Sequence, residues 1–153
     1  MGSAAVAAGI KGLGDVAPHV ESAAIEISKR FDVTNIGGRA SKGHINGSDH
    51  YTGHAIDVMV YSDKAKGEAV AQYAIANATR LGIKYVIWYR RIWEKGKWTA
   101  YFGTSPHTDH VHLSFNNQPG TGTAPVDNAT GGSVSDLTTL DGCLGVVYKF
   151  FGD

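Results

Sequence analysis

The apolar positions near the start of the chain repeat with a helical period. Val20, Ala23, Ala24, Ile27 and Phe31 fall on one face, which predicts a helix from about Val16 to Phe31. Asp15 is a candidate N-cap, and Pro18 falls in the first turn, where a missing N–H is harmless. Val33 to Ile36 is a short strand candidate closed by Gly37-Gly38, and a polar, glycine-bearing loop follows from Arg39 to about Gly53. The period then switches to two. From His54 to Tyr61, Ile56, Val58 and Val60 point one way, and Ala55, Asp57 and Met59 the other. Asp63 caps a second predicted helix reaching about Leu81, with Val70, Tyr73, Ala74, Asn77 and Leu81 in one stripe and Gly82 as its stop. Ile83 to Tyr89 is strongly β-prone. Arg91 to Trp93 and Trp98 to Phe102 flank a Glu94-Lys95-Gly96-Lys97 turn and read as a hairpin. In the last strand, His110 to Phe115, the residues Val111, Leu113 and Phe115 face the core, and His110, His112 and Ser114 share the other face.

These elements make an α+β fold: a small antiparallel sheet of about four to five strands flanked by two helices, without βαβ alternation. The predicted domain occupies residues 1–115, with its core over about 16–115. Between 116 and 135, fourteen of twenty residues are Gly, Pro, Ser, Thr or Asn, so this stretch is expected to be a flexible linker. Residues 136–153 follow with Leu137, Leu140, Leu144, Val147, Tyr148 and Phe151 at helical spacing, weakened by Gly142 and Gly145. They read as an amphipathic tail or the start of a further domain.

Composition narrows the function. Fourteen basic and fourteen acidic residues cancel in 153, so no basic excess argues for a nucleic-acid partner. No stretch approaches the ~18 consecutive apolar residues of a membrane span. Met1 to Ile10 is small and apolar but lacks a basic n-region and is short for a signal peptide. Export would need a signal already removed, a longer parent protein, or another route. The lone cysteine, Cys143, excludes an internal disulfide and a cysteine-rich metal knuckle, so any metal must rest on nitrogen and oxygen. The pattern sets no oligomeric state.

The chemistry lies in the histidines. Six of seven fall in two clusters: His44, His50 and His54, with Asp57 close by, and His107, His110 and His112. If His50 ends the loop and Asp57 lies inside the next strand, both converge above the sheet, and Gly53 permits the sharp turn between them. His112 would arrive from the last strand as a third ligand. An Asp inside Ala55-Ile56-Asp57-Val58-Met59-Val60 must be solvated, paired or ligated, because a bare buried carboxylate is costly. Three protein ligands leave a fourth position open for water, as a catalytic zinc needs and a structural zinc avoids.

The motif Ser48-x-His50-x-x-Gly53-x-Ala55-x-Asp57, with His110-x-His112 later, resembles the signature of the lysostaphin/D-Ala-D-Ala-peptidase/sonic-hedgehog metallopeptidases. Within that group it is most similar to the VanY/VanX-like D-Ala-D-Ala peptidases. The resemblance spans about Val16 to Phe115. It implies a hedgehog/DD-peptidase-like fold, one Zn2+ ion on His50, Asp57 and His112, and hydrolysis of peptide bonds in peptidoglycan stem peptides or cross-links. That substrate implies work outside the cytoplasm or in the cell wall, as a secreted or phage-delivered hydrolase, either carboxypeptidase or endopeptidase.

Two residues compete for the general base that takes the proton of the attacking water. Asp109 stands three positions before the last ligand and His110 two before it, and relatives use either place. Strand alternation favours His110. Asp109 is nevertheless the preferred base, with His110 positioning it or stabilising charge. Arg39 matches an arginine that relatives carry near the zinc, where it can stabilise an oxyanion. His107 resembles a further histidine of some relatives. His44 and His54 are expected in a groove or on the surface, and Trp88, Trp93 and Trp98 in the core and hairpin.

Other functions compete. A non-catalytic zinc-binding interaction module, as in the hedgehog branch, is the main alternative, and the presence of both Asp109 and His110 argues against it. A non-haem iron oxygenase would carry His-x-Asp/Glu on one strand, and none of the predicted strands does; a two-histidine phosphoesterase needs two His-x-Ser/Thr pairs, and only His112-x-Ser114 lies on a predicted strand.

Overall fold

The computed structural model describes residues 3–121. A short helix α1, Ser3–Ala7, precedes α2, Pro18–Phe31, and strand β1, Ile36–Gly37. A single 3-10 turn, Asp49–Thr52, leads into β2, Ala55–Met59. Helices α3, Lys64–Ala76, and α4, Ala78–Leu81, are followed by β3, Ile83–Trp88, β4, Arg91–Glu94, β5, Lys97–Ala100, and β6, His110–Phe115. The six strands form one antiparallel sheet in the order β1-β2-β6-β3-β4-β5. The α+β class stands. The sheet has six strands rather than four to five, and α1 and α4 add to the two helices expected.

One face of the sheet carries the core. Val20, Ala23, Ala24 and Ile27 of α2 and Val70, Tyr73 and Ala74 of α3 pack on Ile56, Val58, Val86, Trp88, Val111, Leu113 and Phe115. A bulge between Ile83 and Tyr85 resets the alternation of β3. Ile83, Val86 and Trp88 can then face the core, while Tyr85 and Ile87 face the other way. The core also extends further toward the N-terminus than expected: Ala5, Ile10 and Leu13 are buried in it, and Lys11 bridges Asn35.

Several boundaries differ from the sequence expectation for local reasons. The N-cap of α2 is Ala17, not Asp15. The residue before a proline is pushed to extended geometry, and Ala17 has φ −60 and ψ 151, so the helix cannot begin earlier. The first strand starts at Ile36, because the backbone around Asn35 is held by Lys11: Lys11 N–H donates to the Thr34 carbonyl (2.8 Å) and Ile36 N–H to the Lys11 carbonyl (3.1 Å). The second predicted helix breaks at Asn77, whose Nδ2 donates to the Tyr73 carbonyl at 2.9 Å and competes with the backbone ladder. Its two ends stand as expected: the Asp63 side chain accepts from Lys66 N–H (3.0 Å), and Gly82 closes α4 at φ 77. The first residues of the expected linker are tied to the body, with Asn116 N–H donating to the Gly82 carbonyl (2.8 Å) and Thr121 N–H to the Thr79 carbonyl (3.3 Å). The remainder of the linker and the amphipathic tail, 136–153, lie outside the described residues.

A polar cluster joins the helices behind the sheet. Glu26 pairs with Arg80 and accepts a hydrogen bond from the Tyr73 hydroxyl at 2.5 Å. Burial opposes the Glu26 charge, but Arg80 and Tyr73 outweigh it and hold the carboxyl below its ordinary range. Burial and Glu26 push the Tyr73 hydroxyl up to about 12. The Glu26 contribution to stability is therefore complete above the ordinary glutamate range and is lost as pH falls through the depressed value. Glu26→Gln is expected to cost about 1.5–3 kcal/mol at neutral pH, the range for hydrogen bonds to a charged group. Urea unfolding near neutrality and again at about pH 3 checks this, the gap to wild type narrowing at the lower pH.

Candidate metal centre

The face of the sheet opposite the core forms the floor of a cleft of about 580 Å³. Asp57 on β2 lies directly opposite His112 on β6 in the strand register. His112 Nδ1 stands 3.0 Å from Asp57 Oδ1, and His50 Nε2 stands 3.1 Å from Asp57 Oδ2. The carboxylate is thus bracketed by two imidazoles from separate segments, both nearly buried, at 2% exposure for His50 and 7% for His112.

His50 is delivered by the 3-10 turn. Ser48 Oγ caps that turn by accepting from His50 N–H at 3.2 Å. Gly53 ends it in the left-handed region, φ 77, with its N–H on the His50 carbonyl at 3.3 Å. Lys84 on β3 pairs with Asp49 at 3.1 Å and ties the turn to the sheet. The imidazole is oriented from behind: His50 Nδ1 lies 2.8 Å from the Gly38 carbonyl. A carbonyl only accepts, so Nδ1 carries the proton and Nε2 of the neutral ring turns its lone pair toward Asp57. His112 is held similarly. Its Nε2 lies 2.8 Å from the buried Ser114 Oγ, and Tyr85 stacks on its ring at 5.7 Å between centroids.

Two lone pairs cannot face each other at this distance without a proton or a cation between them. Burial opposes charge on His50, but Asp57 outweighs it and raises the pKa. Burial likewise opposes the Asp57 charge, yet His112 and His50 together hold that carboxyl far below the usual carboxylate range. The pocket therefore favours positive charge beside the carboxylate. Among the described residues, His44, His50 and Asp57 form a group that could hold a metal ion, with one ligand atom from each within 4.8 Å of the others. Nitrogen and oxygen donors of this kind suit a first-row divalent metal.

His44 reaches this group by stacking on His50, with ring centroids 4.0 Å apart and an interplanar angle of 16°. It was expected only in a groove or on the surface, and its sequence position gave no sign that the loop folds back over His50. His107 and His110 also line the cleft, their rings 4.7 Å apart. Burial first, and then the neighbouring histidines, push His107 down to about 4. His54 and His19 lie elsewhere, 5.8 Å from each other. Trp88 is fully buried and Trp93 pairs with Trp98 across the hairpin, as expected.

One residue stands differently from the sequence expectation. Arg39 does not line the cleft; it borders a separate depression with Asp15, Ser41 and Tyr51. Backbone bonds from Gly38 N–H to the Gly12 carbonyl (3.1 Å) and from Arg39 N–H to the Leu13 carbonyl (2.8 Å) hold this stretch against the 12–14 segment. Asp109, preferred as base, is 61% exposed at its side chain and lies 2.7 Å from His110 Nδ1. Its carbonyl accepts from Val60 and Tyr61 N–H, which fixes the backbone just before β6. His110 Nε2 stands 3.8 Å from Asp57 Oδ1. The Asp109 carboxylate and the His110 ring thus form a hydrogen-bonded pair at the edge of the cleft.

The family described as VldE, C-terminal domain, matches residues 12–112, a span that holds every residue of this cluster, and the chain belongs to that family. No curated protein and no solved structure matches the chain.

Gly38 links this geometry to the chain. A Cβ built there would meet the Leu13 carbonyl oxygen at 2.1 Å, so any larger residue displaces the carbonyl that orients His50. Gly38→Ala is expected to weaken divalent metal binding by about 10–100-fold, the usual loss on disturbing a group behind a ligand. Asp57→Ala should remove binding altogether. Equilibrium dialysis with zinc measures both.

Proposed function

We propose that the domain is a zinc-dependent peptidase that cuts peptide bonds in peptidoglycan stem peptides or cross-links, and so acts outside the cytoplasm or in the cell wall. The observation that carries this reading is the Asp57 carboxylate between His50 and His112 on the floor of an open cleft, with the His110–Asp109 pair beside it. The motif resemblance supports the substrate class. The ligand set proposed is His50, Asp57 and His112, one ion held by donors on the sheet and on the tied turn. When bound, zinc supplies a Lewis acid that polarises the scissile carbonyl and lowers the pKa of water to about 7.

The chain's own residues supply the proton chemistry. Asp109 accepts from His110 Nδ1–H, so the neutral ring presents an unprotonated Nε2 in the cleft. His110 takes the proton of the attacking water and passes it to the leaving amine. Asp109 stabilises the imidazolium formed in between and holds the ring in the correct tautomer. Among the described residues, no arginine or lysine lines the cleft, and Arg39 is given no part in the reaction. Ser114 and Tyr85 keep the His112 ring in place.

Incubation of the zinc-loaded protein with purified muropeptides, followed by mass spectrometry, tests the reading. Shortened or uncrosslinked stem peptides are expected, lost on chelation and regained with zinc. Intact stem peptides in the presence of bound zinc would instead establish a non-catalytic zinc-binding module. His110→Ala is expected to lower kcat by about 100–10,000-fold with zinc content unchanged. Asp109→Asn should cost less than His110→Ala, and the opposite order would return the base role to Asp109.

A further inference from the structure

Resting on the three-donor set proposed above, we propose that His44 is a fourth, detachable ligand that closes the metal position in the resting protein and leaves it when substrate enters. The placement of its ring is the first ground. One ligand atom each from His44, His50 and Asp57 lie within 4.8 Å of one another, while His112 reaches the same carboxylate. The His44-His50-Asp57 group and the proposed His50-Asp57-His112 set therefore share the His50 ring and the Asp57 carboxylate, and together they offer one donor more than a hydrolytic site uses. A site closed by four protein donors is a resting arrangement, because hydrolysis needs a position free for water.

The second ground is how differently the four are held. His50 and His112 are nearly buried, and Asp57 lies within a paired strand. His44 is exposed, on the loop between β1 and the 3-10 turn. Its backbone is held by one side chain: the Tyr51 hydroxyl accepts from His44 N–H at 2.9 Å and donates to the His44 carbonyl at 2.5 Å. Exposed hydrogen bonds of this kind open at little cost compared with the strand ladder below.

The third ground is the position of the loop. Gly43, His44, Ile45 and Gly47 all line the cleft, so a peptide entering it meets this loop. Contacts that substrate makes with the loop can draw His44 from the metal, coupling occupancy of the cleft to exposure of the reactive position. Without substrate, the fourth donor limits idle access of water and small anions.

The test uses the full chain loaded with zinc or cobalt(II), with azide as the probe of a free coordination position. Zinc-edge X-ray absorption is expected to count three imidazoles in wild type and two in His44→Ala. Azide, followed through the visible spectrum of the cobalt form, should bind His44→Ala at least tenfold more tightly than wild type. Tyr51→Phe, which keeps the imidazole and frees the loop, should fall between them. His44→Gln serves if the alanine variant fails to fold. Equal imidazole counts and equal azide affinity in wild type and the His44 variant would overturn the proposal and leave the three-donor site standing. Undiminished zinc affinity in both Asp57→Ala and His112→Ala would overturn the three-donor reading, and this one with it.

Discussion

The antiparallel register between β2 and β6 is the constraint on which the rest of the structure depends. It sets Asp57 opposite His112, and their side chains emerge on the face away from the helices. A slip of one residue would turn one of them into the core and bring Val111 or Val58 into the cleft. The register is enforced from the other side of the sheet. Ile56, Val58, Val111 and Leu113 are all fully buried there. Each such side chain contributes about 1.5–3 kcal/mol on burial, against about 1 kcal/mol for a typical hydrogen bond. Apolar packing therefore decides the pairing, and the polar cluster inherits its geometry from it.

That cluster is unfavourable to build on its own. A carboxylate largely removed from water needs a compensating charge, and Asp57 has two imidazoles placed to share one. The imidazoles are themselves fixed from behind, His50 by the Gly38 carbonyl and His112 by Ser114. Such backing keeps the nitrogens aimed at one place whether or not that place holds a cation. It also explains the close approach of Gly38 to Leu13, which carries the segment around residues 10–14 into the architecture of the site.

From floor to rim, the cleft runs from paired strand backbone to an exposed loop. The sheet and the capped turn carry His50, Asp57 and His112; the start of β6 carries His110 with Asp109 behind it; the exposed loop carries His44. In the proposed function this gradient separates tasks. Groups that must not move lie on paired backbone, the proton carrier lies where a carboxylate outside the cleft can orient it, and the element that meets substrate first is the one most easily displaced.

Much of this was legible along the chain, because the signals are local. Alternation over His54 to Tyr61 and His110 to Phe115 sorts core from cleft without knowledge of any partner, since successive strand residues always face opposite ways. The helical stripes named Val20, Ala23, Ala24 and Ile27 of α2 and Val70, Tyr73 and Ala74 of α3 but missed Glu21, Ser28, Gly67 and Ala71, and Gly53 marked the turn between His50 and Asp57. Local competition displaced some boundaries: Pro18 moved the cap of α2 to Ala17, and Asn77 broke the second helix. Whether Arg39 reaches the cleft, which way Asp109 turns and where the His44 loop lies were decided only in three dimensions. Their backbones are set by hydrogen bonds to Gly12 and Leu13, to Val60 and Tyr61, and to Tyr51. A strand carries its own rule for where side chains point, whereas a loop takes its direction from whichever groups satisfy its backbone, and most of those groups are far away in the chain.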